Sequence, residues 1–276
     1  MSAAARGDDP HRAAPRTVTV TWYGQSGFLL EAGRVRVLID PFLSERDGRL
    51  YPPPAPADRF ADVGIVLCTH EHADHLDVPF LRELAAVNPE APIVVPAPVT
   101  EIAAAAGLDR GRLTGAAPGE TLREAGVTVH PVPALHGIGG GEPVAYEFAP
   151  GGGQVRFLGY VVEIGGVRVY HAGDCLLYPE LPQTLAGLAP DVLMVPVNGR
   201  DHMREAGGIV GNMNEAEAAW LCARVNPGHA IPMHYDAISG NTGDPGRFAA
   251  LVRESGCAAA VVLPPRARPV VLAVPG

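Results

Sequence analysis

Thr69-His70-Glu71-His72-Ala73-Asp74-His75-Leu76-Asp77 is the stretch on which the reading of this chain turns. Within it, three imidazoles and two carboxylates fall in the six residues from His70 to His75. The run before it, Val63-Gly64-Ile65-Val66-Leu67-Cys68, is apolar and predicts a buried strand. His70 then stands where a strand runs out into a loop, the place where a rigid scaffold carries its functional groups. Residues two apart in an extended segment point the same way, so His70 and His72 can reach one cation together. A turn of the backbone lets Asp74 and His75 serve a second position. Imidazole and carboxylate with no thiolate suit zinc or manganese, and iron or cobalt would also fit. The motif therefore reads as half of a two-metal hydrolytic site.

The remaining donors are sought at other strand ends. The strand Val127 to Ala134 leads into Leu135-His136-Gly137, and the glycines of Gly137-Ile138-Gly139-Gly140-Gly141 leave room beside His136. His130, inside that strand, is the poorer candidate. Strands Phe157 to Ile164 and Val167 to His171, joined at Gly165-Gly166, end in His171-Ala172-Gly173-Asp174-Cys175. Gly173 allows a tight fold that presents the Asp174 carboxylate between two ions, and His171 reads as structural. In Pro227-Gly228-His229-Ala230-Ile231-Pro232-Met233-His234-Tyr235-Asp236, His229 opens a strand and His234 closes it. His234 is taken as the last donor because the others also close strands.

Further elements follow from the same patterning. Strands are expected over Val18–Trp22, Gly27–Glu31 and Val35–Asp40, and Tyr23-Gly24-Gln25-Ser26 fits either a loop reaching the site or a tight hairpin. Residues 41 to 62, with Pro52-Pro53-Pro54-Ala55-Pro56, read as a surface loop. Asp77 caps a helix running to about Val87 with Pro79 in its first turn, and Asn88-Pro89 stops it. A strand at Ile93–Val95, a helix from Thr100 to Ala106 and short strands over residues 112 to 135 come next. Leu177–Leu188 reads as a broken helix, Asp191–Asn198 as a buried strand and Gly246–Glu254 as a helix, with a final strand pair at Ala259–Leu263 and Pro269–Val274. Between Asn198-Gly199-Arg200-Asp201 and Gly211-Asn212-Met213-Asn214 the chain is a polar loop. Asn214 with Glu217 makes a capping box for a helix from Glu215 to Val225. Asn198, Arg200 and Asn212 are the candidates for binding an anionic or hydroxyl-rich substrate, against plain loop scaffolding.

Composition narrows the function classes. At 276 residues the chain is long enough for one large domain, residues 17–276, behind a loose tail over residues 1–16 that has no signal-peptide core. A formal net charge of -9 and a pI near 5.5 speak against a nucleic-acid partner. No run of 18 apolar residues speaks for a membrane span. Cys68, Cys175, Cys222 and Cys257 lie far apart with no C-x-x-C pair, which reads as reduced thiols and a cytoplasmic protein.

With His70, His72, Asp74, His75, His136, Asp174 and His234 in this order, the chain resembles the metallo-β-lactamase-fold hydrolases from about Val18 to Val274. Trp22-Tyr23-Gly24-Gln25-Ser26-Gly27, the Asn198 and Asn212 loop segments and Ile231-Pro232-Met233-His234-Tyr235-Asp236 are similar to the L-ascorbate-6-phosphate lactonase-like branch. The resemblance implies an α/β (α+β) chain folded as an αββα sandwich of two similar halves, with two divalent ions at one edge. It implies His70, His72 and His136 on one ion, Asp74, His75 and His234 on the other, and Asp174 bridging. Two cations about 3.5–4 Å apart acidify a shared water and polarise the group it attacks. For a lactone that group is a carbonyl, with Asp74 moving the proton to the leaving oxygen. A small-molecule substrate is expected, and a homo-oligomer is compatible with the resemblance. The competing readings are a phosphodiesterase on the same ions, with Arg200 neutralising charge, and a non-catalytic metal-binding protein.

Overall fold

The computed structural model describes residues 16–139 and 144–275. Alternation along the early strands decides where each side chain goes. These strands are β1 (Arg16–Gly24), β2 (Gly27–Ala32), β3 (Val35–Ile39), β4 (Ile65–Leu67) and β5 (Ile93–Pro96). Phe28 and Leu30, Val37 and Ile39, and Ile65 and Leu67 enter one apolar cluster. Leu29, Leu38 and Val66, lying between them, enter another on the opposite face. A sheet buried on both faces needs two covers. The outer cover is α1 (Val78–Val87), α2 (Val99–Ala105) and a 3-10 turn at Ala57–Phe60, through Phe60, Phe80, Leu81, Leu84 and Val99.

The inner cover is a second sheet. Its strands are β7 (Leu122–Glu124), β8 (Val127–Pro133), β9 (Leu158–Ile164), β10 (Val167–His171), β11 (Val192–Pro196), β12 (His229–Met233) and β13 (Ala260–Val261). With β6 (Leu113–Ala116) and β14 (Pro269–Val274) completing the first, both sheets have seven strands, ordered β14-β1-β2-β3-β4-β5-β6 and β13-β12-β11-β10-β9-β8-β7. In each, an antiparallel meander passes into parallel strands, at β3–β4 and at β10–β11. Three helices, α3 (Leu181–Leu188), α5 (Glu215–Val225) and α6 (Pro245–Glu254), close the second sheet from outside with Leu181, Leu221 and Phe248. The αββα sandwich of two similar halves is the fold observed.

Local chemistry sets the helix starts as the sequence predicts. Asp77 accepts from Phe80 N at the head of α1, and the Asn214–Glu217 capping box opens α5. Several expectations change. The loop after Asn198 contains a short helix, α4 (His202–Ala206), because Asp201 caps it by accepting from Arg204 N. The helix expected from Leu177 begins only at Leu181, with a proline in its first turn. The last two strands are not partners: β13 runs parallel to β12, whereas β14 pairs antiparallel with β1 in the other sheet. Pro264, Pro265 and Pro269 lie between or at the start of these strands and carry the chain across instead of closing a hairpin. The tail expected over residues 1–16 lies outside the described residues except Arg16, which already belongs to β1 and is 3.0 Å from Asp191. All four cysteines are unpaired, and no helix among the described residues is long and apolar enough to cross a membrane.

Candidate metal centre

Every donor singled out by sequence lies beyond the end of a strand, at one edge of the sandwich. The β4 loop carries His70, His72, Asp74 and His75, while His136, Asp174 and His234 follow β8, β10 and β12. His70, His72, His136 and Asp174 offer ligand atoms within 4.8 Å of one another, as do Asp74, His75 and His234. The His72 Nδ1 atom is 3.0 Å from His70 Nε2 and 3.3 Å from His136 Nε2. Asp174 joins the two groups. Its Oδ2 is 3.5 Å from His136 Nε2, and its Oδ1 is 3.2 Å from both His75 Nε2 and His234 Nε2.

Most of this cluster is shut away from water: His70, His75, His136 and His234 are at most 1% exposed, and Asp174 only 4%. Buried polar atoms ordinarily find partners. Here His75 Nε2, His136 Nδ1 and Asp174 Oδ1 have no hydrogen-bond partner among the described residues. Of these, His75 Nε2 and Asp174 Oδ1 face the cluster. Imidazole nitrogens and carboxylate oxygens converging at these distances fit divalent cations, and the absence of thiolate fits zinc, manganese or another borderline to hard ion.

The charges of the protein without metal agree with that fit. Burial, together with the neighbouring imidazoles, lowers His70 well below its ordinary pKa. Burial pushes His136 down to about 3, against the pull of Asp174. In the other group burial is overcome: Asp174, Asp74 and Asp40 raise His75 well above its usual value, and Asp174 and Asp74 raise His234 to about 9. Burial likewise acts to raise Asp74 and Asp174, yet His75 and His234 hold both carboxyls down. Positive charge is thus already drawn to the Asp74, His75 and His234 group, where a cation would replace protons.

Two residues absent from the sequence-predicted set support the cluster. Asp40 accepts from Thr69 N at 2.8 Å and Thr69 Oγ1 at 2.7 Å, and its Oδ2 lies 2.7 Å from His75 Nδ1. Gln25 Nε2 donates to Asp74 Oδ2 at 2.7 Å and lies 3.0 Å from His234 Nε2. Gln25, Asp40 and His234 are all non-glycine residues at positive φ, namely 50°, 43° and 61°. Such backbone is held by its surroundings and gathers at functional sites. His234 N donates to Gln25 O at 3.0 Å, and Asp40 N to Leu67 O at 2.9 Å. His171 stays outside the cluster, its Nε2 donating to Ser26 O and its Nδ1 accepting from Gly173 N.

Residues 35–235 match the Beta-lactamase superfamily domain. A UPF0173 metal-dependent hydrolase of Opitutus terrae is 32% identical over 250 residues, 89% of this chain and 96% of that protein. Another, of Archaeoglobus fulgidus, is 33% identical over 245 residues, 88% of this chain and 94% of that protein. The chain belongs to the UPF0173 family of the β-lactamase superfamily. Igni18, a metallo hydrolase of Ignicoccus hospitalis, shares the fold of this UPF0173 protein, with a TM-score of 0.70 at 22% identity over 93% of this chain and 98% of that one.

The UPF0173 chain leaves a cavity of about 330 Å³ over His72, Asp74, Asp174 and His234. None of the three residues predicted to bind substrate is among those lining it. Arg200 is engaged by Glu217 at 2.8 and 2.9 Å and by Asn212 O at 3.2 Å. Asn198 and Asn212 are buried and bonded to each other, Asn212 Nδ2 donating to Asn198 Oδ1 at 3.1 Å. Polar residues in a loop read as free in sequence; here most of their polar groups are taken up by one another and by Glu217 and Asn241.

Proposed function

We propose that this metal-dependent hydrolase opens a lactone or a similar carboxylic ester at a centre of two divalent ions. His70, His72 and His136 would hold one ion, Asp74, His75 and His234 the other, and Asp174 would face both. When bound, the ions would acidify a shared water and polarise the carbonyl it attacks. The observation that carries this reading is the pair of donor groups joined through Asp174, with buried donor atoms left without partners.

The chain's own residues divide the remaining work. Asp174 keeps the two groups in register, and Asp40 orients His75 through Nδ1. Gln25 holds one oxygen of Asp74, which stands in the cavity wall and is the carboxylate able to pass a proton to the leaving oxygen. The finer assignment to a lactone rests on the resemblance to the lactonase-like branch. The phosphodiesterase reading has lost its main support, because Arg200 is engaged by Glu217. The cytoplasm is the compartment we propose, on four unpaired thiols.

Metal content and hydrolysis measured on one purified sample, after reconstitution with manganese or zinc, test the reading. Two ions per chain and turnover of sugar lactones, both lost in His70→Ala, are expected. Turnover of phosphodiesters alone overturns the lactone assignment, and a chain that takes up no metal overturns the centre. Asp74→Asn with both ions retained and undiminished turnover would remove the proton-transfer role.

A further inference from the structure

The cavity over the donor cluster has walls that the metal chemistry does not use. At about 330 Å³ it lies at the small end of sites that take organic molecules. Besides the donors, its lining includes Ile138, Ile209, Val210 and Ile238, together with Arg46 and Asn241. Among the described residues Arg46, exposed to solvent, is the one arginine in that lining, and no lysine lies beside it. Arg49, three positions on, is bonded to the carbonyls of Phe42 and Tyr51.

Backbone bonds hold Arg46 beside Asn241. Arg49 N donates to Arg46 O at 3.3 Å, closing a turn. Leu50 N donates to Ala237 O and Ser239 N to Gly48 O, each at 2.9 Å, so the Arg46 turn is tied to the segment that carries Ile238 and Asn241.

Asn241 stands at the end of a directional chain of carboxamides. Asn212 Nδ2 donates to Asn198 Oδ1, and Asn198 Nδ2 donates in turn to Asn241 Oδ1 at 2.8 Å. The oxygen of Asn241 is therefore engaged, and its NH2 is the end left over. A guanidinium and an amide donor on one wall are the groups that recognise an oxyanion. Arg46 is exposed to solvent, so its guanidinium is available to meet an anion that enters the cavity.

We propose that Arg46 and Asn241 form an anion subsite, so that the substrate carries a carboxylate or phosphate besides the bond that is broken. Asn198 and Asn212 act through Asn241, as positioning residues. The apolar lining beside them accommodates a body no larger than a monosaccharide. This inference rests on the hydrolase reading of the metal centre and adds the substrate's charge to it.

The test is a calorimetric titration of the zinc-loaded protein with D-gluconate, 6-phospho-D-gluconate and D-glucarate, which share one carboxylate and differ in the second anion. The readout is the affinity ratio of each acid that carries a second anion to gluconate. A ratio of about ten is expected in the wild type for phosphate or for carboxylate, and the larger one names the source. Arg46→Gln should bring the ratio near one, Arg46→Lys should restore part of it, and Asn241→Ala and Asn198→Ala should each lower it severalfold. A wild-type ratio near one, or an Arg46→Gln ratio equal to the wild type's, overturns the subsite. Turnover of the matching lactones is followed on the same samples. A ratio of ten without turnover sinks the lactonase reading and leaves the subsite standing, whereas turnover without a preference does the reverse.

Discussion

Asp40 acts on the cluster without entering it. A histidine whose Nδ1–H is held by a carboxylate presents Nε2, unprotonated and aimed, to a metal. Asp40→Asn should therefore weaken metal binding at the Asp74, His75 and His234 group about 10- to 100-fold, with a smaller effect at the other group. Competition titration with a chromogenic chelator reads both affinities, and unchanged binding at the first group would sink the assignment. A second residue-scale expectation concerns Glu217. Burial pushes its carboxyl up, but hydrogen bonds from Arg200 and Asn214 N outweigh that and leave it below its ordinary value of 4.5. Because the folded-state value is the lower one, the contribution to stability is complete above the ordinary value and fades as pH falls through the lowered one. Urea unfolding between about pH 5 and pH 3 should show the wild type losing more stability than Glu217→Gln; parallel losses would refute this. The donors were legible because each closes a strand or neighbours another donor. Asp40 was not, since an aspartate before a proline at a strand end looks like a turn residue. Its role comes from residues brought to it by folding. Arg46, in a proline-rich loop, was hidden for the same reason.

The turn after β10 is the element that delivers Asp174. Gly173 has φ +60, and a Cβ there would lie 2.7 Å from Thr69 Cβ and 2.9 Å from Leu158 O. Gly173→Ala should cost about 1–3 kcal/mol in urea unfolding and reduce metal uptake, because the turn has to shift. Gly187→Ala is the control: nothing lies within 4 Å of its Cβ position in α3, so stability should hold or rise by a few tenths to about 1 kcal/mol. Equal behaviour of the two variants would contradict the account. Most elements could be read from periodicity and caps, as α1, α5 and the β2–β3 hairpin show. The fate of β13 and β14 could not, because a short apolar run after prolines says nothing about which sheet it will join. That choice is made by the partners on offer, β12 and β1, and not by any local signal.

At the scale of the whole molecule, the donors come from both sheets, so bound cations would pin the two halves together at one edge. Metal removal should lower the midpoint of thermal unfolding by several degrees, since ligand at 100 times its dissociation constant contributes about 2.7 kcal/mol. Calorimetry with and without a chelator checks this, and coincident transitions would mean that the centre contributes nothing to holding the halves. The sandwich itself was foreseeable from the donor order, whereas the cavity wall was not, because it is assembled from segments far apart in the sequence, among them the Arg46 turn, the Ile209–Val210 segment and Ile238 with Asn241. A different consequence follows from β14 lying against β1, with Val18 opposite Leu272. On the ribosome β1 emerges well before its partner β14, with the other strands of both sheets made in between. Until β14 is made, the β1 edge is an open row of backbone donors and acceptors, beside buried residues such as Val18, Val20 and Trp22. The step that completes this sheet is therefore a late, long-range closure, and until it happens the nascent chain is exposed to edge-to-edge association with its neighbours.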